Sequence, residues 1–339
     1  MVIRQNNGQF LPPDRSLLKQ SIIALGDKWN LNLPRDFELI GPLNARPFSR
    51  IYRMDLPLSD PIAVKLCLHS RTLGPNPDLA NRQFQILTRC YGRMQANAAF
   101  QVPKPLAVFA DEGIILMNWV AGNTLRELLR QASVSALPKL MTRAGAWLRH
   151  FHDAGPVRVV ALDAAELRAG IDKVRENLAR QKIKFRGLGE ALSALETHVP
   201  ILSGLPAESS WAHEDYQPGN IIFTSDAVFG IDISPAEERV TLVDAAYFMN
   251  NVQRFTLLPR GLRLVRVRRN LAAAFLRGYA KENAAINRVA LSWFRILDDL
   301  RFTARHYRNT RTAFHRFYLL QVQRHNLALW VRQLRSSAT

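Results

Sequence analysis

Residues 211–223 read W-A-H-E-D-Y-Q-P-G-N-I-I-F, and residues 230–234 read G-I-D-I-S. This spacing sets His213, Asp215, Asn220 and Asp232 between apolar strands, an arrangement that few folds require. Pro218 and Gly219 let the chain turn back between Asp215 and Asn220, and Asp232 follows on the far strand of a short hairpin. A loop carboxylate can orient and deprotonate a hydroxyl, while a carboxamide and a second carboxylate offer oxygen ligands to a hard cation such as Mg2+. The set therefore suits phosphoryl transfer, with Asp215 as the base and Asn220 and Asp232 as metal ligands. The competing reading is a polar turn satisfied by His213 and Asp215, with Asp232 capping a hairpin.

The rest of the chain is patterned to match. Residues 1–35 hold a short helical stretch around Leu17 to Leu25 and read as an N-terminal extension. Residues 36–120 are strand-rich (FELIG, SRIYRMDL, PIAVKLCL, GIILMNWV) with one helix near Asp78 to Met94, which gives a small β lobe. Helical periodicity dominates 121–339, as in Leu140 to His152 and Ala165 to Gln181, with one β-like insertion, IIFTSDAVFGIDIS. The expected class is thus α+β and bilobal, a β-rich lobe followed by a larger helical one. No internal repeat or low-complexity tract is present. The start, MVIRQNNGQF, lacks an apolar h-region and no apolar run of about 18 residues occurs, so the expected location is cytoplasmic. Cys67 and Cys90 lie apart without metal-ligand spacing and suit a reducing compartment as buried thiols.

These residues resemble the catalytic and metal loops of the aminoglycoside phosphotransferase and choline kinase superfamily. The likeness spans about residues 36–280, in that family's order. P-I-A-V-K-L places Lys65 like the strand lysine that holds the nucleotide α- and β-phosphates. I-L-M-N-W-V-A-G-N-T-L resembles the hinge, whose backbone at Asn118, Trp119 and Val120 would receive adenine. A-W-L-R-H-F-H-D resembles the helix before the catalytic segment, and V-D-A-A-Y puts Asp244 at the family's later D-x-A. The resemblance implies a protein-kinase-like fold, ATP and Mg2+ as cofactors, and transfer of the γ-phosphoryl group to a hydroxyl.

Two departures qualify it. The helix L-A-N-R-Q-F-Q-I-L offers Gln83, on one face with Leu79, Ile86 and Cys90, where the family has a glutamate that pairs with the lysine. The covering loop N-A-R-P-F-S-R-I-Y has no glycine-rich run, leaving Ser49 as the phosphate donor and Arg46 as a second candidate. A pseudokinase or nucleotide-binding scaffold is therefore the rival reading. Glu214 before the base and the lack of D-F-G after Asp232 argue against a regulated protein kinase.

The formal net charge of +18 is unevenly distributed. From Arg254 to Arg335 there are 18 Lys and Arg against three acids. The family places acceptor-binding helices here, so an anionic acceptor is expected, a sugar phosphate, an acidic glycan or a lipid-linked saccharide, with peripheral contact to an anionic inner-membrane surface as a variant. Arg301, Arg305, Arg308 and Arg311 form one stripe if their segment is a continuous helix, with Leu297, Leu300, Ala304 and Tyr307 facing a core. The last helix, about Arg311 to Leu334, carries Ala313, Phe317, Leu320, Leu327, Val331 and Leu334 on one side, interrupted by Arg324, and packing is the expected use of that side. Nucleic acid is disfavoured as a partner, since no motif supports it and Trp293, Phe294, Phe302 and Tyr307 read as core.

Overall fold

The structure, a computed structural model, describes residues 15–28, 35–46, 49–69, 74–233, 238–280, 286–307 and 312–337. The chain separates into two compact units, Met1–Gly122 with Thr224–Ile231, and Asn123–Phe223 with Asp232–Thr339.

The first unit is built on alternating strands, because a strand with one apolar face must bury it. Its elements are helix α1 (Arg15–Lys28), strands β1 (Glu38–Arg46), β2 (Ser49–Asp55) and β3 (Ile62–Cys67), helix α2 (Pro77–Met94), and strands β4 (Phe100–Gln101), β5 (Pro105–Phe109) and β6 (Ile114–Asn118). The main sheet has the order β1-β2-β3-β6-β5, antiparallel throughout. Strand Val228–Gly230, β11 in chain order, pairs parallel to β4. Period-two alternation on β3 sends Val64 and Leu66 to one face and Lys65 and Cys67 to the other. The first face is closed by α1, whose Leu18, Ile22 and Leu25 join Tyr52, Met54, Val64 and Leu66 in one cluster. The segment expected as an extension thus contributes to this unit's core. On the second face Ala80 of α2 meets Cys67 and Ile115. Helix α2 starts where Asn76 accepts the Leu79 N–H at 3.1 Å and Pro77 occupies the first turn.

The second unit comprises β7 (Asn123–Thr124), α3 (Leu125–Gln131), α4 (Leu137–Ala154), β8 (Arg158–Ala161), α5 (Ala164–Arg180), α6 (Leu188–Leu202), β9 (Pro206–Trp211), β10 (Ile221–Phe223), β12 (Glu238–Val240), α7 (Leu242–Leu257), α8 (Arg268–Tyr279), α9 (Arg288–His306) and α10 (Ala313–Ser337). Strands β8, β9 and β12 form an antiparallel sheet with β9 in the middle, an element that periodicity did not reveal. It delivers the chain from Trp211 straight into the loop of Asp215. Helices α4 and α8 touch backbone to backbone. A Cβ on Gly145 would lie 2.1 Å from the Phe275 carbonyl oxygen, and one on Gly278 1.9 Å from that of Thr142, so only glycine permits this approach.

The arginine-rich end differs from its sequence reading. Helix α9 is described to His306 and α10 from Ala313, so of the expected stripe only Arg301 and Arg305 are placed, both on α9. Arg308 and Arg311 lie outside the described residues. On α10, Leu327, Val331 and Leu334 are buried as expected, whereas Phe317 is 62% exposed. Arg254 and Arg295, counted with the basic excess, are interior residues with only 7% and 5% exposure. Trp293 and Phe294 are core, as read. Among the described residues no helix is long and apolar enough to cross a membrane.

Candidate active site

Asp244, in the first turn of α7, organises the loop after β9. Its Oδ2 accepts the His213 backbone N–H at 2.6 Å, and its Oδ1 accepts the Glu214 N–H at 3.0 Å. His152, at the end of α4, places Nε2 3.1 Å from Asp244 Oδ2 and Nδ1 3.1 Å from the Tyr279 hydroxyl. An ionised carboxylate only accepts, so Nε2 carries the proton and Tyr279 donates to Nδ1. Burial alone would raise the Asp244 pKa, but the hydrogen bonds from His152 and from the His213 backbone hold it below the ordinary carboxylate range. The residue read from sequence only as part of a motif is thus the anchor of the loop backbone.

With its N–H groups tied down, the loop takes a conformation that most side chains avoid. Glu214 has φ of +63°, in the left-handed region, and its carboxylate pairs with Arg239 at 3.0 Å. His213 points inward among Trp147, Phe151 and Tyr216, with ring centroids 5.4 to 5.9 Å away. Neither of its ring nitrogens has a hydrogen-bond partner among the described residues. Its ring is held by packing against these aromatic neighbours.

Asp215 is turned the other way and is half-buried. Its Oδ1 accepts from the Tyr247 hydroxyl at 2.8 Å and from Gln217 Nε2 at 2.9 Å. Its Oδ2 accepts from Gln217 Nε2 at 3.0 Å and from Asn220 Nδ2 at 2.8 Å, while Asn220 Nδ2 also donates to the Asp215 carbonyl. Burial and then the charge of Asp215 raise the Tyr247 pKa, so the phenol stays protonated as a donor. Gln217 is fixed in turn by Arg126 at 2.6 Å. Sequence reading missed both Tyr247 and Gln217. A signal existed for Tyr247, because its i, i+3 spacing from Asp244 puts both on one side of α7.

Asp232 also has a left-handed φ, +60°, and its charge reaches the His213 ring together with those of Asp244 and Asp215. Asp215 and Asn220 thus share one loop, and Asp232 lies within electrostatic reach of it. Their donor set, one carboxylate and one carboxamide beside the base, is oxygen chemistry that fits a hard divalent cation, which needs only one or two protein ligands when phosphates supply others.

The remaining predicted residues belong to the first unit. Lys65 is 6% exposed at the middle of the sheet, opposite Ile51 on β2 and Ile115 on β6. Gln83 reaches the same face, where its Oε1 accepts from Cys67 Sγ at 3.6 Å. Ser49 opens β2 and is half-buried, whereas residues 47 and 48 and the Arg46 side chain lie outside the described residues. In the hinge, the Asn118 N–H is bonded to the Lys104 carbonyl and the Trp119 N–H to the Pro61 carbonyl, both at 3.0 Å. Of the three hinge donors, that of Val120 alone carries no bond among the described residues.

The two buried histidines give the site a measurable pH signature. Burial, opposed by Asp244, pushes the pKa of both His152 and His213 below the usual histidine value. Below about pH 6.5 the unfolded chain then binds a proton at each site that the native protein refuses. Stability should fall with decreasing pH by about 1.4 kcal/mol per unit for each such group until the depressed native pKa is reached. Urea denaturation between pH 7.5 and 5.5 should show this loss, with a shallower slope in His213→Phe. An identical slope in that variant would mean that His213 is protonated in the native state.

Residues 75–232 match the Phosphotransferase enzyme family. No curated protein matches the chain in sequence. Among solved structures, a choline/ethanolamine kinase family protein from Mesorhizobium loti is similar at 15% identity, with 96% of this chain and 98% of that one covered and a TM-score of 0.60. An amicoumacin kinase in complex with AMP-PNP, Ca2+ and Ami aligns at 12% identity over 94% and 96%, with a TM-score of 0.59. A glucosamine kinase in complex with glucosamine, ADP and inorganic phosphate aligns at 14% identity over 97% and 86%, with a TM-score of 0.58. The matched segment, the fold and the loop around Asp215 are those of a kinase-like phosphotransferase, and in them the chain resembles the aminoglycoside phosphotransferase and choline kinase superfamily.

Proposed function

We propose that this protein transfers the γ-phosphoryl group of ATP to a hydroxyl of a small molecule, with Asp215 as the base. The observation that carries the reading is the Asp215 carboxylate, half-exposed and aimed by three donors, Tyr247, Gln217 and Asn220. Such a carboxylate can accept the proton of a hydroxyl as the hydroxyl oxygen bonds to phosphorus, and its fixed direction places that oxygen for in-line attack. Asn220 and Asp232 would hold Mg2+, which when bound neutralises phosphate charge. With its amide nitrogen directed at Asp215, Asn220 offers its oxygen as the metal ligand. Lys65 would neutralise nucleotide phosphate, Ser49 would donate to it, and the Val120 N–H would meet the adenine edge. The amicoumacin kinase bound to AMP-PNP and Ca2+ and the glucosamine kinase bound to ADP are consistent with this use.

The acceptor is read as anionic. Two carboxylates near the loop already have cationic partners, Glu214 with Arg239 at 3.0 Å and Asp298 with Arg254 at 2.6 Å. Arg239 and Arg305 act on Arg301 beside Asp298, so positive charge gathers there. A cationic acceptor would find no uncompensated acid in these two pairs.

A thermal-shift titration with ATP, with and without MgCl2, tests the nucleotide half. Binding at 100 times the dissociation constant should stabilise the protein by about 2.7 kcal/mol, and only with the metal present. A panel of sugars, sugar phosphates and amino alcohols, assayed for ADP release, then finds the acceptor. No metal-dependent shift would support the scaffold reading, which Gln83 favours because it gives Lys65 no counter-charge.

A further inference from the structure

On the opposite side of α7 from Asp215 lies an open pocket of about 720 Å³, lined by α4, α7, α8, α9 and α10. Residues of an α-helix are set about 100° apart, so Met249, Val252 and Gln253 centre roughly half a turn from Tyr247. Tyr247 serves Asp215, and the other three line the pocket. The volume is within the range of small-molecule sites, roughly 300 to 1,000 Å³.

Its lining is chemically one-sided. Met141, Met249, Leu276, Leu291 and Leu329 make an apolar wall. Against it stand five arginines, 268, 269, 277, 288 and 295, with no Asp or Glu among the described lining residues. Arg295 is 5% exposed, its guanidinium lies 3.3 Å from the centre of the Trp330 ring, and its Nε donates to Asn250 Oδ1. Among the described residues its terminal nitrogens make no hydrogen bond, because Asp298 and Asp299 are engaged by Arg254. Burial, only partly offset by Asp299, pushes the Arg295 pKa down to about 9, the sign of a cation short of counter-charge. Gln253 is 6% exposed, and its Nε2 has no partner at all among the described residues. A buried amide donor without an acceptor costs free energy that a ligand oxygen would recover.

We propose that this pocket binds an anionic amphiphile, a carboxylate or phosphate ester on an apolar body, with its anionic oxygens on the Gln253 amide and the arginines and its body on the methionine and leucine wall. Guanidinium groups and an amide N–H are matched to oxyanions, and the apolar wall excludes ions without a hydrocarbon part. The site lies apart from the phosphotransfer chemistry and does not depend on that assignment.

Isothermal titration of the full-length protein with decanoate and with decyl phosphate, both below their micellar concentrations, tests it. At least one should bind saturably at one per chain, and the pair identifies the head group. Inorganic phosphate tests the need for the apolar body, and decyltrimethylammonium the need for negative charge. Arg269→Glu with Arg288→Glu changes exposed positions and should weaken binding about tenfold or more. Gln253→Leu should raise the melting temperature of the free protein while weakening the ligand several-fold. Absence of binding by both amphiphiles overturns the proposal. So does equal affinity for decyltrimethylammonium, inorganic phosphate as tight as decyl phosphate, or unchanged affinity in both variants.

Discussion

Replacing Asp215 with alanine is expected to lower kcat by roughly 10²- to 10⁴-fold, the usual contribution of a positioned general base, with nucleotide affinity nearly unchanged. Two physical arguments separate the effects. Tyr247, Gln217 and Asn220 lose their acceptor, but the loop is half-exposed and water can replace the missing oxygens at small cost to stability. The backbone of the loop is held elsewhere, by Asp244 on the N–H groups of His213 and Glu214. The reaction, by contrast, loses the loop carboxylate that Tyr247, Gln217 and Asn220 aim together. Asp215→Asn keeps the shape and cannot take a proton, so it should be nearly as slow, whereas Tyr247→Phe removes one aiming bond and should cost much less. The measurement is ADP release with the acceptor identified by the panel, alongside a melting curve in Mg2+ and ATP. Turnover in Asp215→Ala within tenfold of the parent protein would remove Asp215 as the base.

How much of this was legible beforehand depended on whether the signal was local. Strand alternation around Lys65 and the turn between Asp215 and Asn220 are short-range patterns, and they located the first unit's sheet and the loop. The β8-β9-β12 sheet was not legible, because β9 reads P-A-E-S-S-W, with weak strand propensity, and its partners lie far along the chain. The role of Gln217 was hidden because sequence does not tell which way a polar side chain turns, and that of Tyr247 was marked only by its spacing from Asp244. The hinge illustrates the same limit: three consecutive residues were equal candidates until the Lys104 and Pro61 carbonyls claimed two of the three donors. Charge misled most. A count of the arginines between 254 and 335 assigns every one to the surface, yet the fold buries Arg254 and Arg295, and burial reverses what a charge does for stability.

Arg254→Leu should therefore be among the most damaging substitutions in the second unit, at about 3 to 5 kcal/mol, although it removes one of 18 positive charges in a crowded basic segment. Arg254 Nε and Nη2 donate to Asp299 Oδ1 at 3.0 and 2.7 Å, and Nη2 also donates to Asp298 Oδ2 at 2.6 Å. Its guanidinium stacks on Phe302 at 3.8 Å. Asp299 is fully buried, and without Arg254 its direct donor is Trp330 Nε1 at 2.9 Å. Burial already raises the Asp299 pKa, against the pull of Arg254, and losing the arginine moves it higher still. A raised native pKa favours the fold at low pH and withdraws that support as pH rises through it. The variant's deficit should accordingly be smaller near pH 5 than at pH 8, the reverse of the trend expected from the buried histidines. Arg254→Leu combined with Asp299→Leu removes both charges together and should recover much of the loss, since an apolar pair can replace a buried ion pair. Urea denaturation of the three proteins at both pH values decides the matter. If Arg254→Leu costs under about 1 kcal/mol at pH 8, as an exposed arginine would, the charge is solvated and the interior network has been misread.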